Sequence, residues 1–283
     1  PGTYRLTNNT IPINGKSVKL VGAGRGAVTI NVYTTAGDVF SIGDGAAVPS
    51  LTTISGIQFV AKETRVDGYV IRSRNAHDIR LSDIGIDYDG VHTFSGGVSI
   101  EGGPSQYIAH LDNFSFGHIT GAAISLGAGI TWARDVHISH GTIGSCGVGW
   151  QFLAASGIYA HDVSIIKSSS VGVLFSPGDG SVVKYVFLDR ILADTTSGDN
   201  WLFQSTGSGA NHNIVCSNCW GSTNGTTAGN GFNLNDPNAD GLTFSGIVAI
   251  NNKKNGVAIN AGKNIILTGG FQVGNNSIGS GLY

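Results

Sequence analysis

A four-residue phrase recurs along this chain at nearly constant spacing: glycine, then an apolar residue, a variable one and a second apolar one. It stands at Gly68-Tyr-Val-Ile, Gly97-Val-Ser-Ile, Gly121-Ala-Ala-Ile, Gly147-Val-Gly-Trp, Gly172-Val-Leu-Phe, Gly231-Phe-Asn-Leu and Gly256-Val-Ala-Ile. Asn200-Trp-Leu-Phe fills the gap, and Gly281-Leu-Tyr begins another copy. Successive intervals are 29, 24, 26, 25, 28, 31, 25 and 25 residues. A period of this size predicts a solenoid, in which each repeat buries its apolar face only against its neighbours.

Each repeat holds a second strand. Aligned, these read Ile79-Arg-Leu-Ser-Asp-Ile, Ala109-His-Leu-Asp-Asn-Phe, Val136-His-Ile-Ser-His-Gly, Ile158-Tyr-Ala-His-Asp-Val and Val186-Phe-Leu-Asp-Arg-Ile, with Ile214, Leu242 and Ile265 opening the later copies. Apolar, variable, apolar is a period of two, which is strand. A third short strand follows, such as Ile84-Gly-Ile or Phe271-Gln-Val. Each strand matches the one a full repeat later, so the pairing is parallel. The expected fold is all-β: a single-stranded parallel β-helix with three short strands per turn and ~4.8 Å between turns. One domain is expected over residues 1–283, with opening turns in 1–67 and regular turns in 68–283, as a piece of a longer chain.

Composition narrows the function. The chain has 44 glycines but no glycine triplet, and it is 41% hydrophobic, which excludes collagen and argues against disorder. Net charge is −2 without a basic stripe, so no nucleic-acid partner is expected. No apolar run reaches the ~20 residues of a membrane helix, so no membrane insertion is expected. Cys216 and Cys219 lack a second pair to complete a zinc site, and both fall at apolar strand positions, as core thiols would. No metal or cofactor is expected. Asp87-Tyr-Asp-Gly reads as a turn, and Trp150 and Trp201 as core.

The opening segments Pro1-Gly-Thr-Tyr, Val18-Lys-Leu-Val-Gly-Ala-Gly, Phe40-Ser-Ile-Gly and Ile54-Ser-Gly-Ile-Gln-Phe resemble the first turns of pectate-lyase-like right-handed β-helices, closest to bacteriophage tailspikes and capsule depolymerases. The resemblance implies a right-handed coil, assembly as a homotrimer, a place on a virion tail or otherwise outside the cell, and binding or cleavage of a bacterial surface polysaccharide. A polygalacturonase would carry Asn-Thr-Asp, Asp-Asp, Gly-His-Gly and Arg-Ile-Lys segments; none occurs here, and Ser139-His140-Gly141 is the nearest fragment. A non-catalytic receptor-binding fibre and a free secreted lyase or glycoside hydrolase are the alternatives, because this fold hosts all three.

In a solenoid, equivalent positions stack into ladders. The outward position of the second strand reads Arg80, His110, His137, Tyr159, Phe187, Val215, Thr243, Ile266. The adjoining corner reads Ser82, Asp112, Ser139, His161, Asp189, Ser217, then Asp83, Asn113, His140, Asp162, Arg190, Asn218. Candidate catalytic residues are Asp112, Asp162, Asp189, His110 and His137. Asp162 and Asp189 on adjacent turns would suit a retaining glycosidase, and Asp112 with Asp162 the wider spacing of an inverting one. A lyase would instead use His110 or His137 as base and Arg80 as the cation beside a developing enolate. Candidate substrate contacts are Arg80, Tyr107, Trp132 and Tyr159, whose flat aromatic faces suit sugar rings. Polar residues at the corners of any solenoid also have a purely structural reading. Arg72 and Glu101 are expected to share an outward position as a surface ion pair. Small and apolar residues along the ladder Val70, Ser99, Ala123, Gly149, Leu174, Leu202, Asn233 and Ala258 are expected to mark a face covered by a neighbouring subunit or by a loop of the same chain.

Overall fold

The computed structural model describes residues 2–8, 10–15, 17–43, 48–49, 51–103, 108–129, 131–224, 229–274 and 276. Among these residues all regular structure is β, and every pairing between strands is parallel. The chain winds through about ten turns, as a parallel β-solenoid.

Three faces run along the coil. Face A carries the glycine phrase, in strands such as Ile71–Arg74, Val98–Glu101, Val171–Phe175, Trp201–Phe203 and Phe232–Leu234. Face B carries the second strand and face C the third. Longer strands bend through the corners: Asp78–Tyr88 covers faces B and C, and Ala133–Phe152 covers all three. Left-handed residues make the bend from B to C. Asp83, Asn113, His140, Asp162, Arg190 and Asn218 have φ of 53, 50, 51, 57, 53 and 53°. Asn and Asp tolerate that region best among residues with a side chain, because their short polar groups bond locally.

Period-two alternation puts every second side chain inside, where like stacks on like. Phe152, Phe175 and Phe203 occupy one inward ladder, with ring centroids 4.2 and 4.4 Å apart. Trp150 and Trp201 are fully buried, as are free Cys216 and Cys219. Where Asn200 replaces the glycine, its buried amide donates to Ser222 O (2.9 Å) and Asn252 Oδ1 (3.0 Å) and accepts from Thr196 Oγ1 (2.8 Å). Its polar atoms are thereby satisfied inside the coil.

The register on face B is the aligned one throughout, from Ile79 beside Ala109 to Thr243 beside Ile266. On face A it differs from the glycine alignment. Val98 pairs with Ile71 and Ile124, which sets Gly97 beside Val70 and Ala123. Trp150 pairs with Val173, which sets Gly172 beside Gly149. Those glycines stand where a neighbouring backbone comes too close for a Cβ: one on Gly97 would lie 2.3 Å from Ala123 O, and one on Gly172 2.6 Å from Asn200 O. They mark the bend into face A, and the bend slides by two residues between some turns. A slide of two preserves which side chains face inward.

Two expectations change accordingly. The outward ladder of face A reads Ser41, Arg72, Ser99, Ser125, Gln151, Leu174, Leu202 and Asn233; it is mostly polar rather than small and apolar, although Ser41, Ser99 and Ser125 are each only 1% exposed, so part of the face is covered. Arg74, not Arg72, lies opposite Glu101. Both arginines reach that carboxylate, Arg72 Nε at 2.5 Å and Arg74 Nε at 3.2 Å; Glu101 is only 7% exposed and lies beneath two partly exposed arginines, so this is a half-buried three-residue network rather than a surface pair.

Phe175 tests the packing. Phe175→Ala should destabilise the coil by ~3–5 kcal/mol, the cost of a phenyl-sized cavity, and Phe175→Leu by far less. Urea denaturation followed by circular dichroism reads both, and equal midpoints would contradict a close-packed aromatic ladder.

Candidate functional site

Face B positions the sequence-derived ladder in strict register, Arg80 beside His110, His110 beside His137, His137 beside Tyr159 and Tyr159 beside Phe187. Strands one turn apart hold their outward side chains parallel, so the rings stack. Centroids of His110 and His137 are 5.0 Å apart, of His137 and Tyr159 5.2 Å, and of Tyr159 and Phe187 5.3 Å, with interplanar angles of 15, 16 and 10°. Tyr159 is 45% and Phe187 42% exposed. The result is a column of stacked rings along the coil axis whose outer edges are open to solvent. Arg80 lies beyond its first ring, exposed, with its guanidinium 2.9 Å from Asp78 on the same strand.

Basic residues line one edge of the strip. Arg134, Ser156, Lys184 and His212 form the ladder before it. Lys184 Nζ sits 4.9 Å from the ring centre of Trp132 and 5.4 Å from that of Tyr185, cation–π geometry in both cases. Sequence reasoning named Trp132 but missed Lys184 and Tyr185. Extending the aligned segments two residues upstream puts Arg134 and Lys184 on one ladder, which is the signal that finds them. Tyr107 lies outside the described residues.

The acidic corner forms the other edge, and its carboxylates are tied. Asp112 Oδ1 accepts from Ser139 Oγ at 2.6 Å and lies 2.8 Å from His140 Nδ1. Burial opposes the charge on Asp112, but these two hydrogen bonds and the His140 charge outweigh it and hold the carboxyl below its usual range. Asp162 is gripped through both oxygens by Arg190, at 2.7 and 2.9 Å, and lies 2.9 Å from His161 Nδ1. Hydrogen bonds from Arg190 and then His161 push its carboxyl well below the usual range. Arg190 also bonds Asp189, which accepts from Asn218 Nδ2 at 2.9 Å. In register Asp162 lies opposite Arg190 and Asp189 opposite His161, so a guanidinium bridges the two aspartates expected to face each other as a carboxyl pair.

His110 differs. Burial, then the neighbouring His137, lowers its pKa, and Arg80 adds to the effect. It is therefore a neutral imidazole at neutral pH, able to accept a proton. His140, His161 and Asp162 offer possible ligand atoms within 4.8 Å of one another. A divalent cation there would sit against the Arg190 guanidinium that already neutralises Asp162. Asp89 makes the local turn expected of Asp87-Tyr-Asp-Gly, accepting from the backbone N–H groups of Val91 and His92 at 3.1 and 2.9 Å.

The lowered pKa of His110 has a pH signature. The unfolded chain takes up that proton more readily than the coil, so its contribution to stability is intact above ~6.5, the free imidazole value, and is lost as pH falls below it. Proton NMR should place the His110 midpoint below ~6.5. His137→Gln should raise that midpoint by removing a neighbouring positive charge. An unmoved midpoint would show that the stacked ring is not a source of the shift.

No protein-family model matches the chain, and no curated protein matches it. Among solved structures, the Dettilon tailspike protein superposes on 98% of this chain and 60% of its own, with a TM-score of 0.51 and 10% identity. PfbA, a surface adhesin of Streptococcus pneumoniae, aligns with 99% of this chain and 83% of its own at a TM-score of 0.48 and 12% identity. The Agl-KA catalytic domain aligns with 100% and 62% at 0.46 and 12%. The tailspike likeness shows a shared right-handed β-helix fold, and this chain spans about 60% of that tailspike's length.

Proposed function

We propose that face B is a saccharide-binding platform and that the chain is an extracellular, tailspike-like protein recognising a bacterial surface polysaccharide. The observation that carries this reading is the stack of rings from His110 to Phe187, in register and open to solvent. The exposed ring edges form an apolar ridge carrying imidazole N–H and phenol O–H groups, against which the C–H face and hydroxyls of a pyranose can lie. A polymer laid along the coil meets a similar ring on each turn, every ~4.8 Å. Arg80, Arg134 and Lys184 beside the strip favour an acidic polymer, with Arg80, Tyr107, Trp132 and Tyr159 as its contacts. The tailspike that shares the fold supports a place on a virion tail or otherwise outside the cell. Assembly as a homotrimer is part of the proposal and rests on the resemblance of the opening segments alone.

A cleavage reading is favoured by the register that sets His110 beside Arg80, with burial and His137 lowering the pKa of His110. In a β-elimination His110, with His137 stacked behind it, would take the C5 proton next to the uronate carboxyl and Arg80 would steady the enolate; the C4–O glycosidic bond then breaks as the C4=C5 double bond forms, and the departing oxygen takes a proton from solvent. A hydrolytic route through Asp112, Asp162 and Asp189 would need one of them protonated. Asp112 and Asp162 are held ionised, so Asp189 or a histidine would have to be the acid.

Native electrophoresis in gels containing purified capsular polysaccharide tests the platform. The single variants Tyr159→Ala and Phe187→Ala should each weaken retardation about 2- to 10-fold, matching ~0.5–1.5 kcal/mol per lost ring contact. Full retardation in the double variant would refute the platform. Incubation with an acidic capsular polymer should release unsaturated uronide, seen by ultraviolet absorbance, and His110→Gln should abolish the release. If wild type is retarded but releases nothing from any acidic capsule, the chain is a binding fibre.

A further inference from the structure

Of the four tryptophans, Trp150 and Trp201 fill the core and Trp132 stands at the basic edge of face B. Trp220 is placed differently. It points outward on face C, half-buried, in register with Leu192 on one turn and Val248 on the next. Its indole N–H donates to Ser222 Oγ on the same strand, which fixes how the ring lies. On the turns before, the same outward ladder carries Thr142 and Ser164. The surface therefore steps down from Trp220 over Leu192 to a small serine. A pocket of about 340 Å³ occupies that step, just around the corner from the ring column. Its size lies at the small end of the ~300–1,000 Å³ typical of small-molecule sites.

Polar groups reach the pocket from the corner, where Asp162, Arg190 and Asn218 line its other side. Arg190 is held by Asp162 through both oxygens and by Asp189 through one. Three of its five N–H groups are taken, so the guanidinium is fixed in place, and the other two have no acceptor among the described residues. Asn218 gives an amide N–H to Asp189 at 2.9 Å and keeps its Oδ1 as a free acceptor, exposed. Ser164 Oγ has no partner among the described residues. Donors, acceptors and an apolar wall thus surround one opening, which suits a ligand with hydroxyls around a C–H face. Charge narrows the choice. Two carboxylates against one guanidinium leave about one negative charge in excess here, the reverse of the Arg134 and Lys184 edge, so an anion is disfavoured.

We propose that this pocket takes a neutral sugar unit carried as a side branch of the polymer on face B, which makes the ligand a branched polysaccharide with an acidic backbone. The branch rests on the platform reading and deepens it. Tyr159 and Phe187 precede Asp162 and Arg190 by three residues on the same strands, ~10 Å of chain, so a side unit of a polymer on the ring column crosses the corner to reach the pocket. Its C–H face lies on Leu192 and Trp220. Its hydroxyl oxygens accept from the two remaining Arg190 N–H groups, and its O–H groups donate to Asn218 Oδ1 and Ser164 Oγ. A uronate placed there would set its carboxylate against Asp162 and Asp189. Acidic units turn instead toward Arg134 and Lys184, on the opposite edge of face B.

Ligand-observed NMR reads the pocket by itself, with methyl β-glucoside, methyl β-galactoside and methyl α-mannoside as neutral probes and methyl galacturonide as the acidic one. Wild type should bind at least one neutral glycoside in preference to the galacturonide. Trp220→Ala should bind it about 10-fold more weakly, the loss expected of one aromatic contact. Ser164→Phe fills the pocket from the opposite wall and removes no contact, so it should show the same loss at an unchanged Tm. Native electrophoresis then reads the branch, using a capsule that retards wild type before and after mild acid removes its neutral side units. Trimming should weaken retardation of wild type and leave that of Ser164→Phe unchanged. The pocket is overturned if wild type binds no neutral glycoside, if Ser164→Phe binds like wild type, or if Trp220→Ala loses Tm but keeps glycoside binding. Equal retardation of wild type before and after trimming overturns the branch. Failure of the platform shows separately, as full retardation of the Tyr159 and Phe187 double variant, and leaves the glycoside result standing.

Discussion

The in-register parallel backbone ladder governs everything else in this molecule. Each strand satisfies its N–H and C=O groups on the turn before and the turn after, so residues about one repeat apart become neighbours at strand spacing. One constraint then acts on three kinds of side chain. Inward, Phe152, Phe175 and Phe203 stack as a core ladder. At the B-to-C corner, residues able to take a positive φ line up from Asp83 to Asn218. Outward on face B, His110, His137, Tyr159 and Phe187 form an exposed strip. A globular domain would need separate packing arguments for each; here they share a cause.

The same stacking quiets the acidic corner. Neighbouring turns set unlike groups side by side there, and those groups pair: Asp112 with Ser139 and His140, Asp162 with Arg190 and His161, Asp189 with Arg190 and Asn218. Asp112 and Asp162 are thereby held in their charged form, and all three carboxylates serve the corner as local acceptors. On the strip, burial and a second imidazole lower the pKa of His110. The basic edge of Arg134 and Lys184 and the corner acids flank the strip on opposite sides, which gives face B a direction across the coil as well as along it.

Face B was legible in the sequence because its strands are uninterrupted and its corner has constant length. Ile79, Ala109, Val136, Ile158 and Val186 align by eye and pair in space. Face A was misread by two residues at Gly97 and Gly172, because glycine there reports close approach of a neighbouring backbone at the bend, not a fixed place in the strand. Inward positions survived that error, as Trp150 and Trp201 show, since two residues is one full period of a strand. Partnerships did not survive it: Glu101 is shared between Arg72 and Arg74, and both lie within 4 Å of Asp38.

The sequence by itself determined the winding, the parallel pairing, the inward residues and the ladder from Arg80 to Phe187. These depend on period and alternation, which are properties of the chain read in order. Only the tertiary structure decided that Arg190 spans Asp162 and Asp189 and that burial and His137 lower the pKa of His110. Those depend on where side-chain atoms from adjacent turns come to rest, and a repeat period fixes which residues are neighbours without fixing which atoms meet.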